Sequence, residues 1–174
     1  MFKRFFVVSA VAVVATMAIA GAAFALGVTG TVTGVAGIAL DQGTAPTFTD
    51  TLNGSDQTVS YQPGLTVTDA RGTGAGWHLT VAATPLTDGT HAALAQNVSA
   101  VAQACASGST CSLPTNSVTL PVAVGSSGTS FYSAAAAAGL GKVSVTPTVQ
   151  VAVPGNAYAG TYNSTVTFAA VAGP

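Results

Sequence analysis

Thr66-Val67-Thr68-Asp69-Ala70-Arg71-Gly72-Thr73-Gly74-Ala75-Gly76-Trp77-His78-Leu79-Thr80-Val81 contains the only tryptophan of the chain. It also holds one of the two histidines and the only arginine beyond position 4. The stretch reads as a strand, a glycine-punctuated turn and a second strand. Trp77, Leu79 and Val81 alternate with His78 and Thr80, so three apolar side chains share one strand face. Gly72, Gly74 and Gly76 can take positive φ at no Cβ penalty, which suits a tight or bulged reversal between the strands. Asp69 and Arg71 stand at i and i+2 and so fall on one side of the strand, placed to pair across the turn.

The same texture continues outward from this segment. Val118, Leu120, Val122 and Val124 form one alternating row. Val143, Val145, Val149, Val151 and Val153 form another, opposite Ser144, Thr146, Thr148 and Gln150. Tyr162, Val166 and Phe168 alternate with Asn163, Thr165 and Thr167 near the end. Many short period-two runs separated by Gly, Pro, Asn and Asp predict an all-β fold, an antiparallel β-sandwich or open barrel of short strands. Asn53-Gly54 and Asp88-Gly89 are turn signals. Pro121 and Pro147 lie inside strand-like runs, which predicts that those runs are edge strands or bulged. His91–Cys105 and the alanine run within Ser133–Ala138 fit helix or strand; the surrounding pattern favours strands and loops.

The 174 residues suffice for one domain with a sizeable core. Met1–Ala25 has the three parts of a secretory signal: Lys3 and Arg4, the apolar run Val7–Ala20, and Ala23-Phe24-Ala25 as a cleavage site. Ala18-Ile19-Ala20 is an earlier alternative site. The expected organisation is a signal peptide at 1–25 and one β domain at 26–174. Charged residues make up only 5% of the chain, against about 25% in an average domain. Beyond the leader, Arg71 and Lys142 stand against Asp41, Asp50, Asp56, Asp69 and Asp88. With no basic patch, nucleic acid and anionic lipid are poor partners, and no membrane association is expected after signal cleavage.

Cys105 and Cys111 flank a short run of small residues, and in an oxidising compartment such a pair is expected to form a disulfide. Two thiols without a nearby His or Asp make a poor zinc site, so no metal is expected. His78 and His91 show no partner at a readable spacing for catalysis. Paired carboxylates, a nucleophile elbow and an H-E-x-x-H helix are missing from the sequence, so no enzyme and no cofactor are expected.

Val67 to Val81, continued by Ala83-Thr84-Pro85-Leu86-Thr87-Asp88-Gly89, resembles the first signature of WxL-domain proteins, surface proteins of Gram-positive bacteria. Val151-Ala152-Val153-Pro154-Gly155-Asn156-Ala157-Tyr158-Ala159-Gly160-Thr161-Tyr162-Asn163-Ser164-Thr165-Val166-Thr167-Phe168 extends the likeness, which covers roughly residues 47–170. The resemblance implies a β-rich, exported domain held at the cell surface by non-covalent association with peptidoglycan; a binding module for other cell-surface proteins is a separate reading. Trp77 and Leu79 carry the first motif. Where a second W-x-L belongs, this chain reads Phe168-Ala169-Ala170.

Two readings of these residues remain open in the sequence. Trp77, with Leu79 and Phe168, either stacks on a sugar ring or lies in the core; its alignment with Leu79 and Val81 favours the core. Asp69 and Arg71 either hold a glycan or peptide stem or fix the glycine turn. A different class of function is a structural subunit of a surface layer, spore coat or fibre, assembled through an unprotected strand edge.

Overall fold

The computed structural model describes residues 30–174, and the expected signal peptide lies outside the described residues. Alternation governs the architecture. The valines of Gly141–Val153 point one way and are buried, while Ser144, Thr146, Thr148 and Gln150 point the other way. A strand of this length with one apolar face becomes the axis of a sheet. Nine strands are present among the described residues: β1 (Ile38–Gln42), β2 (Gln57–Tyr61), β3 (Leu65–Asp69), β4 (Trp77–Ala83), β5 (Ala95–Cys105), β6 (Val122–Ala123), β7 (Thr129–Ala134), β8 (Gly141–Val153) and β9 (Val166–Ala172). Every pairing between them is antiparallel.

They form two sheets. The larger runs β1-β3-β8-β5-β6, with β2 also on β8, and the smaller runs β7-β4-β9. The inward rows of both sheets meet in one core. Trp77, Leu79, Val81, Phe131 and Phe168 of the smaller sheet pack with Leu65, Val67, Val98, Val143, Val145, Val149 and Val151 of the larger one. Thr33–Pro174 thus make one compact unit, an all-β sandwich as the alternation predicts. One side is partly closed towards a barrel. The Val124 N–H donates to the Gln96 carbonyl at 3.0 Å and the Ala83 N–H to the Gly125 carbonyl at 2.7 Å, so this short connection touches both sheets.

One sequence expectation needs correction, and another resolves between its two alternatives. β3 and β4 do not fold back on each other: β3 pairs with β1 and β8, and β4 with β7 and β9. The glycine turn is therefore a crossing from one sheet to the other. Gly72, Gly74 and Gly76 do take positive φ there, at 71°, 64° and 74°. Pro147 does not put its strand at an edge, since β8 has neighbours on both sides; the bulged alternative is the one seen. The registers Tyr61↔Val149 and Leu65↔Val145 set Pro63 opposite Pro147. The gap between β2 and β3 falls where neither facing residue has a backbone N–H to give. On the other side the β5–β8 register shifts between Val98 and Ala100, and the Ser99 hydroxyl donates to the Thr148 carbonyl at 3.2 Å. Pro121, by contrast, precedes β6, which is an edge strand. His91–Cys105 yields strand β5, and the alanine run starts in β7 and leaves it as a turn.

Candidate functional site

The W-x-L segment is a buried structural unit. Trp77 and Leu79 are both 0% exposed. The indole stacks on Tyr132, with centroids 5.4 Å apart, and its N–H donates to the Gly139 carbonyl at 3.0 Å. Gly139 has φ of 79°, and a Cβ there would come within 2.3 Å of the indole nitrogen, so the tryptophan and this glycine are fitted to one another. Burial pushes the Tyr132 hydroxyl up to about 12; it remains neutral and bonds the Gln103 amide oxygen. Phe168 packs edge-on against Phe131 at 5.8 Å. In the β4–β9 register Phe168 stands opposite Val81 and Ala170 opposite Leu79. The first motif and the place of the second are thus hydrogen-bonded neighbours. Trp77 and Leu79 offer no face to a sugar ring; burial places their role in packing.

Asp69 and Arg71 clasp the glycine turn. Arg71 Nε donates to Asp69 Oδ1 at 2.9 Å and Nη2 to Oδ2 at 2.8 Å, while Nη2 also reaches the Gly76 carbonyl at 2.7 Å. The Asp69 side chain is 0% exposed. Hydrogen bonding from Arg71 holds its carboxyl below the usual range, against the opposing effect of burial. Every acceptor in this cluster is taken up by the turn itself, which is a structural use of the pair. His78 lies on the opposite face of β4, and its Nδ1–H donates to the Gly173 carbonyl at 2.7 Å. Cys105 and Cys111 stand at disulfide distance, with Cα atoms 5.5 Å apart.

The surface available for recognition lies elsewhere. The connections after β1, β4 and β8 enclose a cleft of about 890 Å³ at one end of the sandwich, within the range of small-molecule sites. Its walls are residues 42–52 and 157–164, and its floor includes Tyr61, Leu65, Leu86, Leu94, Gln96 and Phe168. Phe168 is the one residue of the sequence-derived binding set that reaches it; Trp77, Leu79, Asp69 and Arg71 do not.

The walls are tied to the scaffold. Thr87 and Asn163 exchange two backbone hydrogen bonds, of 3.2 and 2.9 Å. The Gln57 amide donates to Asp50 Oδ1 and to the Thr51 carbonyl, and the Gly155 N–H donates to Asp56 Oδ1. In the floor, Tyr61 donates to Gln96 Oε1 at 2.7 Å and stacks on Phe48 at 6.0 Å. Burial raises the Tyr61 hydroxyl to about 12, so it too is neutral.

At the rim the sequence reading missed a cluster. The backbone N–H groups of Thr90 and His91 donate to Asp88 Oδ1, and His91 Nδ1–H donates to Asp88 Oδ2 at 2.7 Å. Hydrogen bonding from His91 holds the Asp88 carboxyl well below the usual range. The imidazole then stacks on Tyr158, with centroids 3.7 Å apart and planes 14° from parallel. Tyr162 donates its hydroxyl to the Tyr158 carbonyl at 3.0 Å. The i,i+3 spacing of Asp88 and His91 within a D-G-T-H turn was the available signal; nothing local announces Tyr158.

An antiparallel sandwich whose end loops wall a cleft of aromatic faces, amides and hydroxyls defines a recognition domain. The WxL domain model, described as surface cell wall-binding, matches residues 38–174, and the chain belongs to that family. No match is found among curated proteins or among solved structures.

Proposed function

We propose that this chain is an exported surface protein that associates non-covalently with peptidoglycan, and that the end cleft is its contact face. Membership of a cell-wall-binding family supplies the kind of partner. The observation that carries the reading is the lining of the cleft: aromatic rings of Phe48, Tyr158 and Tyr162 beside the amides of Gln42, Gln96 and Asn163. Stacking faces combined with a few fixed polar groups are what a hydroxyl-rich polymer needs for orientation. Assembly through strand edges has less support. The edge strand β9 lies beside β1, and Gln42 Nε2 donates to the Phe168 carbonyl, which occupies an edge acceptor.

Co-sedimentation of the purified protein with insoluble peptidoglycan tests the reading. The protein is expected in the pellet, and Tyr158→Ala together with Tyr162→Ala is expected to move most of it to the supernatant. Wild-type protein remaining in solution at saturating wall material sinks the proposal.

A further inference from the structure

Peptidoglycan offers chemically distinct handles: an uncharged N-acetylated glycan, and stem peptides bearing carboxylates and amines. Anionic polymers attached to the wall add a third. The cleft discriminates between them. Among its lining residues there is no Lys, Arg or His, and Asp50 is the one carboxylate. A carboxylate or phosphate entering it would meet no opposite charge among the lining side chains and one like charge, Asp50, so electrostatics offers it no attraction. An uncharged ligand needs none.

The shape of the rim adds a second argument. Tyr158 is 61% exposed although one face of its ring is covered by His91. The imidazole is in turn fixed by Asp88 at 2.7 Å, and the Tyr158 carbonyl is fixed by Tyr162. The ring is thereby held with its other face free, and an aromatic plate ordered in advance loses little entropy on stacking. A pyranose ring presents a flat C–H face to such a plate. The amides lining the cleft suit hydroxyl and acetamido groups, and the apolar floor at Leu86 and Leu94 suits an acetyl methyl.

Resting on the wall-binding reading above, we infer that the cleft takes an uncharged N-acetylated glycan segment, with Tyr158, backed by His91, as its stacking platform.

The test has two arms, using the purified protein. In the first, a soluble oligosaccharide of β-1,4-linked N-acetylglucosamine is titrated directly, with binding followed calorimetrically or through NMR shifts of the tyrosine ring protons. Binding is expected, with affinity unchanged between low and high salt because the ligand has no charge. Tyr158→Ala is expected to weaken it roughly tenfold, whereas Tyr158→Phe keeps it within about threefold, since the ring and not the hydroxyl does the stacking. His91→Ala, which leaves the ring but removes its support, is expected to fall between them. Unchanged thermal melting of each variant shows that the fold is intact.

In the second arm the same oligosaccharide, and separately a stem pentapeptide, competes for protein bound to insoluble peptidoglycan. Displacement by the saccharide alone supports the inference. If the peptide displaces and the saccharide neither binds nor displaces, the inference falls and the wall-binding reading stands. If the protein pellets but neither competitor displaces it, the cleft is not the contact and the inference falls. If the protein never pellets, the wall-binding reading falls, and the direct titration alone decides whether the cleft takes the glycan.

Discussion

Asp69 is cut off from water and depends on Arg71 for its charge balance, which makes the pair a point of high leverage at the residue scale. Arg71→Gln leaves a buried carboxylate without its cation. Breaking such a pair by removing one partner costs about 3 kcal/mol, and urea denaturation is expected to show a loss of that order. The double variant Asp69→Asn with Arg71→Gln is expected to recover part of it, because no charge then stays buried. The pH dependence follows from the sign of the shift. The folded-state carboxyl lies below its unfolded value, so this pair's contribution is complete above the unfolded value of about 3.9 and is lost as pH falls through the folded one. Wild-type melting temperature is expected to drop on acidification below pH of about 4. Asp69→Asn is expected to flatten part of that drop, and parallel acid profiles for the two proteins would rule out the assignment. Gly139 shows the same economy. Its missing Cβ and its carbonyl both serve the one tryptophan.

Legibility differed sharply between elements. β4 and β8 were readable because each has one wet and one dry face, and alternation records that difference directly. The partners of β4 were not, since a glycine turn fixes local dihedrals but not which sheet receives the next strand. Pro147 does not by itself choose between an edge and a bulge, because a lone proline says nothing about its neighbour; Pro63 stands opposite it, 84 positions earlier (147 − 63). The cleft was illegible for a related reason. Phe48 and Tyr158 lie in loops without periodicity and meet only after β1 and β8 end on the same side. The cysteines were legible, and they locate a testable element. Cys105 ends β5, and the loop to Cys111 is tied to the start of β8 by the Ala106 N–H donating to the Lys142 carbonyl at 2.9 Å. A loop this short restrains little unfolded-chain entropy, so reduction is expected to cost about 2 kcal/mol, a drop of roughly 4–8 °C in melting temperature. The β-type circular dichroism should survive, because the β5–β8 ladder extends well beyond the cysteines. Loss of that spectrum on reduction would show that the bridge holds the sheet itself.

At the scale of the whole molecule, the family motif and the proposed contact face occupy different places and can be separated by experiment. Trp77 belongs to the core shared by both sheets, whereas Tyr158 sits on the rim of the cleft. Trp77→Ala removes a fully buried indole and is expected to cost about 3–5 kcal/mol, a large share of the roughly 5–15 kcal/mol that holds an ordinary domain folded. The variant's melting temperature should fall steeply, and its wall retention should fall only as far as its folded fraction does. Trp77→Phe keeps an aromatic ring against Tyr132 but leaves the Gly139 carbonyl without its indole donor, and is expected to lower stability while leaving a folded protein. Per folded molecule, its retention on peptidoglycan should equal that of wild type. Tyr158→Ala should do the reverse, with melting unchanged and retention weakened. The two variants measured side by side by melting and sedimentation therefore distinguish a motif that builds the sandwich from one that touches the wall. A folded Trp77→Phe protein that fails to sediment would place the indole in the contact after all, because packing alone gives no reason for binding to fail while the fold persists.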